Sequence, residues 1–161
     1  VYLGCFLVWI VNYILVCRES REVCYEFLSA EALSKLICGI FFIFLPTTNV
    51  RPELAGNDFC TWLLGFVYTV DRPVNLFPSI HCLSIWCSWR GLLKCKRVPK
   101  WYKWVSFLFV WLVFLSVLCT KQHILIDIAG GVLVAEIGWY LSGKLRLGNV
   151  YKRINAGVGV V

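Results

Sequence analysis

Charged residues are scarce in this sequence. They make up 16% of its 161 residues, whereas 60% are hydrophobic; soluble domains are about 25% charged and about 45–50% apolar. This imbalance excludes an ordinary soluble domain and predicts a membrane protein. The net charge of +7 does not indicate a nucleic-acid partner. The basic residues stand in short segments between apolar runs, where such residues set the orientation of membrane proteins.

Closely spaced cysteine pairs are also missing. The nine cysteines include no C-x-x-C pair, and most lie within apolar runs, where a free cysteine behaves as a small hydrophobic residue. We therefore expect no metal centre and no disulfide framework. Internal repeats and low-complexity segments are absent as well. The chain is predicted to form one integral membrane domain over residues 1–161.

What the sequence does contain is a series of long apolar runs. A helix that spans a bilayer needs about 20 mostly apolar residues, and five runs approach that length. They cover residues 1–17, 32–45, 81–93, 104–119 and 124–141. A shorter run at residues 59–70 predicts an interfacial or re-entrant helix. The predicted fold is therefore an all-α, polytopic transmembrane helix bundle, and the first run is expected to be truncated at its N-terminal end.

Basic residues between the runs predict the orientation. Segments 18–31 and 94–103 and the tail after residue 141 fall on one side of the membrane when the helices alternate, and this side contains eleven of the sixteen Lys and Arg residues. The positive-inside rule makes it cytoplasmic. The opposite side has three cations, at Arg51, Arg72 and Lys121. We expect a plasma-membrane protein with a functional site on the extracytoplasmic side.

Both histidines fall on this extracytoplasmic side. In the segment TKQHILIDIAGG, Asp127 follows His123 by four residues and shares its helix face. A carboxylate there fixes the tautomer of the imidazole and leaves its other nitrogen free as a base or nucleophile. The alternative is that Asp127 only caps the helix or pairs with Lys121. Small residues continue the same face and predict close helix packing, at Gly131, Ala135 and Gly138.

The other histidine stands at a helix start. Ser79 follows Pro78 and precedes His81 by two residues, and serine is a good N-cap. The free N–H groups of a helix N-terminus suit an anion, so Ser79 is predicted to bind a phosphate oxygen near His81, although an ordinary cap explains the motif equally well. Arginine binds phosphate through its planar fork, which adds Arg51 and Arg72. Together these residues predict an anion site that contains a nucleophile or base.

These motifs resemble those of the phosphatidic acid phosphatase type 2 superfamily of membrane lipid phosphatases and phosphotransferases. The family motifs are K-x6-R-P, P-S-G-H and S-R-x5-H-x3-D. The matching positions are Arg51-Pro52, Pro78 to His81, and Ser116 with His123 and Asp127. The segments FLPTTNVRPE, FPSIH and TKQH are most similar to the branch of the inositol phosphorylceramide synthases. The resemblance implies a core at residues 32–143 and a six-helix family bundle whose first helix is missing here.

The resemblance also implies a role for each residue of the site. His123 would attack phosphorus to form a phosphohistidine, Asp127 would orient it, and His81 would protonate the leaving group. The phosphate oxygens would be held by Arg51, Ser79, Lys121 and Arg72. No metal or other cofactor is implied, and a carboxylate cluster of the kind that binds magnesium is absent from the sequence.

Two cations of the family motifs are replaced in this sequence. The lysine of the first motif falls at Phe44, and the arginine of the third falls at Val117. Lys121 and Arg72 are the nearby residues that could restore the charge. Because of this departure, a non-catalytic membrane protein remains an alternative.

Three functions are consistent with the sequence. The first is a membrane phosphatase that acts on a lipid phosphate or diphosphate. The second is a phosphotransferase that passes a lipid headgroup phosphate to an alcohol such as inositol or another lipid. The third belongs to a different class: a haem protein ligated by His81 and His123, which a Soret band would reveal.

Overall fold

A computed structural model describes residues 1–2 and 4–157 of the chain. Within them it has seven helices: α1 (Gly4–Glu19), α2 (Arg21–Phe44), α3 (Phe59–Val70), α4 (Ile80–Lys94), α5 (Lys100–Cys119), α6 (Leu125–Lys144) and α7 (Gly148–Gly157). The described residues form no strand, and Thr48 and Val74 make an isolated antiparallel bridge. The predicted all-α helix bundle is therefore confirmed.

Three helices are long and apolar enough to cross a membrane. These are α2 with 24 residues and α5 and α6 with 20 residues each. At 1.5 Å per residue they extend about 30–36 Å, which matches a hydrocarbon core of about 30 Å. Helices α1 and α4, with 16 and 15 residues, are shorter than the about 20 residues that a spanning helix needs. The short apolar helix α3 begins and ends where the sequence predicts it.

Helix α4 occupies the centre of the bundle. It packs against α1, α2, α5 and α6, so protein rather than lipid surrounds most of it. Its buried Ser88 accepts a hydrogen bond from Nδ2 of Asn12 at 3.1 Å, and the same amide donates to Ser106 of α5 at 3.0 Å. Polar residues are tolerated in this helix because neighbouring helices satisfy them. This position explains why α4 is less apolar than the helices around it.

The predicted charged loop over residues 18–31 is wrong. Helix α1 ends at Glu19 and α2 begins at Arg21, with Ser20 alone between them. The Ser20 hydroxyl accepts from the backbone N–H of Val23 at 3.2 Å and so caps α2. The segment forms the end of α1 and the first part of α2; it buries Phe27 and Glu31 and leaves Arg21 and Glu22 exposed. The loop prediction failed because it relied on charge density alone.

Ion pairs connect neighbouring helices at the basic end of the bundle. Lys94 of α4 pairs with Glu26 of α2 at 2.5 Å, and Lys152 of α7 pairs with Glu22 at 3.0 Å. Helix α7 lies within what the sequence predicts as a basic tail. The two histidines lie at the opposite end of the bundle, near the start of α4 and the start of α6.

Candidate active site

The turn between α5 and α6 directs His123 into the protein. Lys121 has φ of 54°, in the left-handed region that reverses the chain after a helix. The backbone N–H groups of Gln122 and His123 then both donate to the carbonyl of Val117, at 3.0 and 3.2 Å. As a result the side chains of Gln122 and His123 are buried, while Lys121 is exposed.

Asp127 has two partners at the start of α6. Its Oδ2 lies 3.4 Å from Nδ1 of His123, and both residues are buried. The same oxygen accepts a hydrogen bond from the backbone N–H of Ile124 at 3.0 Å. Within the described residues Nδ1 makes no aligned hydrogen bond, so the contact with the carboxylate is electrostatic. Asp127 therefore caps α6 and also places a carboxylate beside the imidazole.

The surroundings of His123 favour its neutral form. Burial lowers the pKa of the imidazole, and the Asp127 carboxylate is the main group that opposes this shift. The backbone carbonyl of Leu76 and the charge of Asp71 act in the same direction as Asp127. A neutral imidazole carries the lone pair that nucleophilic attack requires. Near neutral pH the His123 ring therefore carries a free lone pair.

A direct backbone contact joins the first turns of α4 and α6. The N–H of Ser79 donates to the carbonyl of Asp127 at 3.0 Å. The Ser79 hydroxyl is fully buried and accepts from the N–H of Cys82 at 3.3 Å, so it caps α4. A Cβ atom at Gly131 would lie 2.5 Å from the Ser79 carbonyl oxygen. Glycine is therefore required for the two helix starts to approach this closely.

The close approach brings the two imidazoles together. The ring centroids of His81 and His123 lie 5.8 Å apart, and the ring planes are inclined by 60°. Reacting atoms stand about 3–3.5 Å apart in a near-attack arrangement. Two rings at this separation can both reach one phosphoryl group.

His81 has partners that the sequence did not predict. The hydroxyl of Tyr2 lies 3.2 Å from Nε2 of His81 and donates a short hydrogen bond to Oδ2 of Asp71. The same carboxylate oxygen lies 3.9 Å from Nε2. The other ring nitrogen, Nδ1, is buried and has no hydrogen-bond partner among the described residues. No spacing in the sequence relates Tyr2 and Asp71 to His81, since the three residues come from different parts of the chain.

Arg51 is fixed beside the turn that holds His123. One guanidinium nitrogen donates to Oε1 of Gln122, and another donates to the backbone carbonyl of Tyr68 at 3.1 Å. The guanidinium also lies 4.5 Å from the centre of the Tyr68 ring. Its Nε and the Gln122 Nε2 are buried without hydrogen-bond partners in the described part of the chain. Gln122 was missed by motif analysis, although it directly precedes His123.

A protein-family model matches the part of the chain that contains this site. Residues 1–141 match the family model of the PAP2 superfamily, the lipid phosphatase group named above. The chain belongs to the PAP2 superfamily. Comparisons with curated proteins and with solved structures find no significant match. Membership supports a phosphatase- or phosphotransferase-type activity on lipid phosphates, in agreement with the motifs at His81 and His123.

Two of the predicted phosphate ligands of this PAP2 chain lie outside the buried cluster. The side chains of Arg72 and Lys121 are exposed and make no hydrogen bond or ion pair within residues 1–2 and 4–157. Lys121 contributes its backbone carbonyl, which accepts from Nδ2 of Asn49 at 3.2 Å. Their binding of phosphate stays a prediction.

Two cavities lie near the candidate site of this PAP2 protein. One, of about 170 Å³, is lined by Tyr2, Asp71 and His81 and by apolar side chains of α1 and α3. The other, of about 400 Å³, is lined by Asp127 and by polar and apolar residues of the neighbouring loops and of α6, namely Thr47, Thr48, Asn49, Leu76, Phe77, Ile124 and Ile126.

Proposed function

We propose that this PAP2 protein is an integral membrane phosphatase that releases phosphate from a lipid phosphate or diphosphate. The observation that carries this function is the approach of the two imidazoles to a centroid distance of 5.8 Å. Among the described residues, His81 Nδ1, Gln122 Nε2 and the Nε of Arg51, which is hydrogen-bonded to Gln122, are buried without hydrogen-bond partners. Leaving a buried donor unsatisfied costs about 1–3 kcal/mol. The oxygens of a phosphate group would satisfy such donors and would bring phosphorus close to both rings.

In the first step, a ring-nitrogen lone pair of His123 attacks phosphorus. The bond from phosphorus to the leaving oxygen breaks, its electron pair stays with that oxygen, and His81 gives the oxygen a proton. The products are a phosphohistidine and a lipid alcohol, or a lipid monophosphate when the substrate is a diphosphate. Asp127, 3.4 Å from Nδ1 of His123, stabilises the positive charge that develops on the attacking ring.

In the second step, water replaces the lipid. His81, now neutral, accepts a proton from water as the water oxygen attacks phosphorus. The phosphorus–nitrogen bond breaks and its electron pair returns to His123, so inorganic phosphate leaves and both histidines recover their starting states. Phosphoryl transfer depends mainly on positioning and on electrostatic stabilisation of the equatorial oxygens. That task falls to Arg51, Ser79, Lys121 and Arg72.

The orientation in the membrane is part of the same proposal. The basic residues gather at the end of the bundle opposite the histidines, and the positive-inside rule assigns that end to the cytoplasm. The active site then opens at the extracytoplasmic surface of the plasma membrane. A lipid phosphate in the outer leaflet presents its headgroup at that level.

The direct test replaces the proposed nucleophile. His123→Ala, purified in detergent and given a radiolabelled lipid phosphate, is expected to release phosphate at least about 10³-fold more slowly than the wild-type chain. Brief incubation should label wild-type protein, but not the variant, with acid-labile phosphate. Asn57→Ala changes an exposed loop residue and serves as the control. Unchanged phosphate release by folded His123→Ala would contradict the proposed mechanism.

A second activity, phosphotransfer to an alcohol, is favoured by the cavity beside Asp127. Thr47, Thr48 and Asn49 line that cavity together with Asp127, and an alcohol bound there could replace water in the second step. Product analysis separates the two activities. Free phosphate indicates hydrolysis, whereas a new phosphate ester of added inositol or of a second lipid indicates transfer.

A further inference from the structure

Tyr2 and Asp71 hold one side of His81 and have no part in the mechanism described so far. Tyr2 precedes α1, and Asp71 follows α3, where its backbone N–H donates to the carbonyl of Val67 at 2.9 Å and so ends that helix. Their side chains are joined by the hydrogen bond from the phenol to the carboxylate. Two segments far apart in the chain therefore converge on one imidazole at the start of α4.

These contacts distinguish the two nitrogens of His81. Nε2 faces the Tyr2 hydroxyl at 3.2 Å and the Asp71 carboxylate at 3.9 Å. Nδ1 is buried with no hydrogen-bond partner among the described residues. A group that protonates a leaving oxygen needs an N–H that is free to turn towards the substrate. Nδ1 is the nitrogen that meets this requirement.

We propose that Asp71 and Tyr2 are positioning residues that hold His81 so that its Nδ1 protonates the leaving oxygen of the lipid. This role rests on the proposed phosphatase activity. In the acid step the Nδ1–H bond breaks, its electron pair stays on the ring, and the leaving oxygen gains the proton. The proton on Nε2 remains in place and is donated to the Tyr2 oxygen, which itself donates to Asp71. Neither Asp71 nor Tyr2 gains or loses a proton.

Burial disfavours the protonated ring of His81, and the Asp71 carboxylate counteracts this effect. Asp71 is the carboxylate that contacts His81 within the described residues. The rings of Tyr2 and His123 also adjoin His81. Arg51 interacts electrostatically with the Tyr2 hydroxyl. The carboxylate is thus the group that can stabilise an imidazolium at position 81.

The cavity next to this group indicates the chemistry of the leaving group. Tyr2, Asp71 and His81 form its polar part, and the rest is apolar, formed by Phe6, Val67 and Val70. A hydrocarbon chain of the leaving alcohol could lie in this apolar part. We therefore expect phosphate esters of apolar alcohols to be the substrates that depend most on Asp71.

The experiment compares two leaving groups. A dialkylglycerol phosphate has a poor leaving group and needs an acid, whereas p-nitrophenyl phosphate has a good leaving group and does not. Asp71→Asn keeps the size of the side chain and its acceptor for Tyr2. For the lipid, we expect this variant to lower kcat about 10- to 100-fold with little change in KM. For the aryl ester, we expect kcat to fall by less than about threefold. Asp71→Glu should recover part of the lost rate. Tyr2→Phe should show the same selectivity with a smaller loss.

Glu53→Gln removes an exposed carboxylate from the loop that precedes α3 and should leave both rates unchanged. Equal losses on the two substrates, or full activity of Asp71→Asn on the lipid, would overturn the positioning role while leaving the phosphatase assignment intact. A wild-type protein inactive on both substrates would instead overturn the phosphatase assignment itself, and the positioning role with it.

Discussion

Gly131 sets the distance between the two halves of the proposed active site, and its replacement by alanine should separate them. The added Cβ would lie 2.5 Å from the carbonyl oxygen of Ser79 and 3.2 Å from the N–H nitrogen of Leu83. Both atoms belong to the backbone of α4 or its cap, so no side-chain rotation can relieve the clash. Helix α6 would have to move away from the start of α4.

The size of this movement follows from the contact distance. Carbon and carbonyl oxygen normally approach to about 3.3–3.6 Å, so α6 must shift by about 1 Å. The shift would stretch the hydrogen bond from Ser79 N–H to the Asp127 carbonyl, now 3.0 Å, and would separate His123 from His81. Overpacking costs about 1–3 kcal/mol of stability, and a 1 Å misplacement of reacting groups can cost about 10²-fold in rate.

Two glycines of the same helix provide matched controls. Among the described residues outside its own helix backbone and chain neighbours, no atom lies within 4 Å of a Cβ added at Gly143, so Gly143→Ala should retain both stability and activity. At Gly138 an added Cβ would clash with Ser34 and lie 2.9 Å from the carbonyl oxygen of Ala30. This position is about 10 Å further along the helix. Gly138→Ala should therefore lower the melting temperature while costing much less activity than Gly131→Ala.

The assay combines thermal unfolding in detergent with phosphate release from a lipid phosphate. We expect Gly131→Ala to lose about 10²-fold in kcat at a temperature where it is still folded. A folded Gly131→Ala variant with wild-type kcat would refute the reasoning, because the histidine separation would then not depend on the helix contact. A variant whose loss in rate equals that of Gly138→Ala would refute it too.

Three further predictions concern His123, Lys121 and Ser20. Because burial lowers the pKa of His123 and the nucleophile must be neutral, the acidic limb of the rate profile should have its midpoint below about 6.5, the ordinary value for histidine. Asp127→Asn removes a group that raises this pKa, so it should move the limb to still lower pH. Lys121 has φ of 54°; Lys121→Gly should therefore be about 1 kcal/mol more stable than Lys121→Ala, with equal loss of charge. Ser20→Ala should cost about 1 kcal/mol in thermal unfolding, because it removes the cap of α2.

Each of these predictions has an outcome that contradicts it. A midpoint at or above about 6.5, or a shift to higher pH in Asp127→Asn, would mean that His123 is not the titrating nucleophile. Equal stabilities of the two Lys121 variants would mean that the turn relaxes. A higher KM for the lipid in both of them would support phosphate binding by Lys121, and an unchanged KM would exclude it. An unaltered melting curve for Ser20→Ala would show that tertiary packing alone holds the start of α2.

The helices were predictable where their composition was uniform. The apolar helices α3 and α5 and the start of α6 follow from runs of hydrophobic residues, and the small residues at Gly131 and Gly138 correctly predict a packed face. The first half of α2 was not predictable in this way. Arg21 and Glu22 are exposed whereas Phe27 and Glu31 are buried, and a count of charges cannot distinguish such a helix from a loop.

The sequence by itself determined the membrane class, the family and the pairing of His123 with Asp127, because each depends on composition or on spacing within one short segment. Only the tertiary structure decided the surroundings of His81 and Arg51. Tyr2, Asp71 and Gln122 contact these two residues across as many as 79 positions of the chain, and no local pattern encodes a contact of that kind. Helix packing creates these contacts: Gly131 lets α6 approach α4 closely, and Tyr2 and Asp71 lie at the ends of α1 and α3.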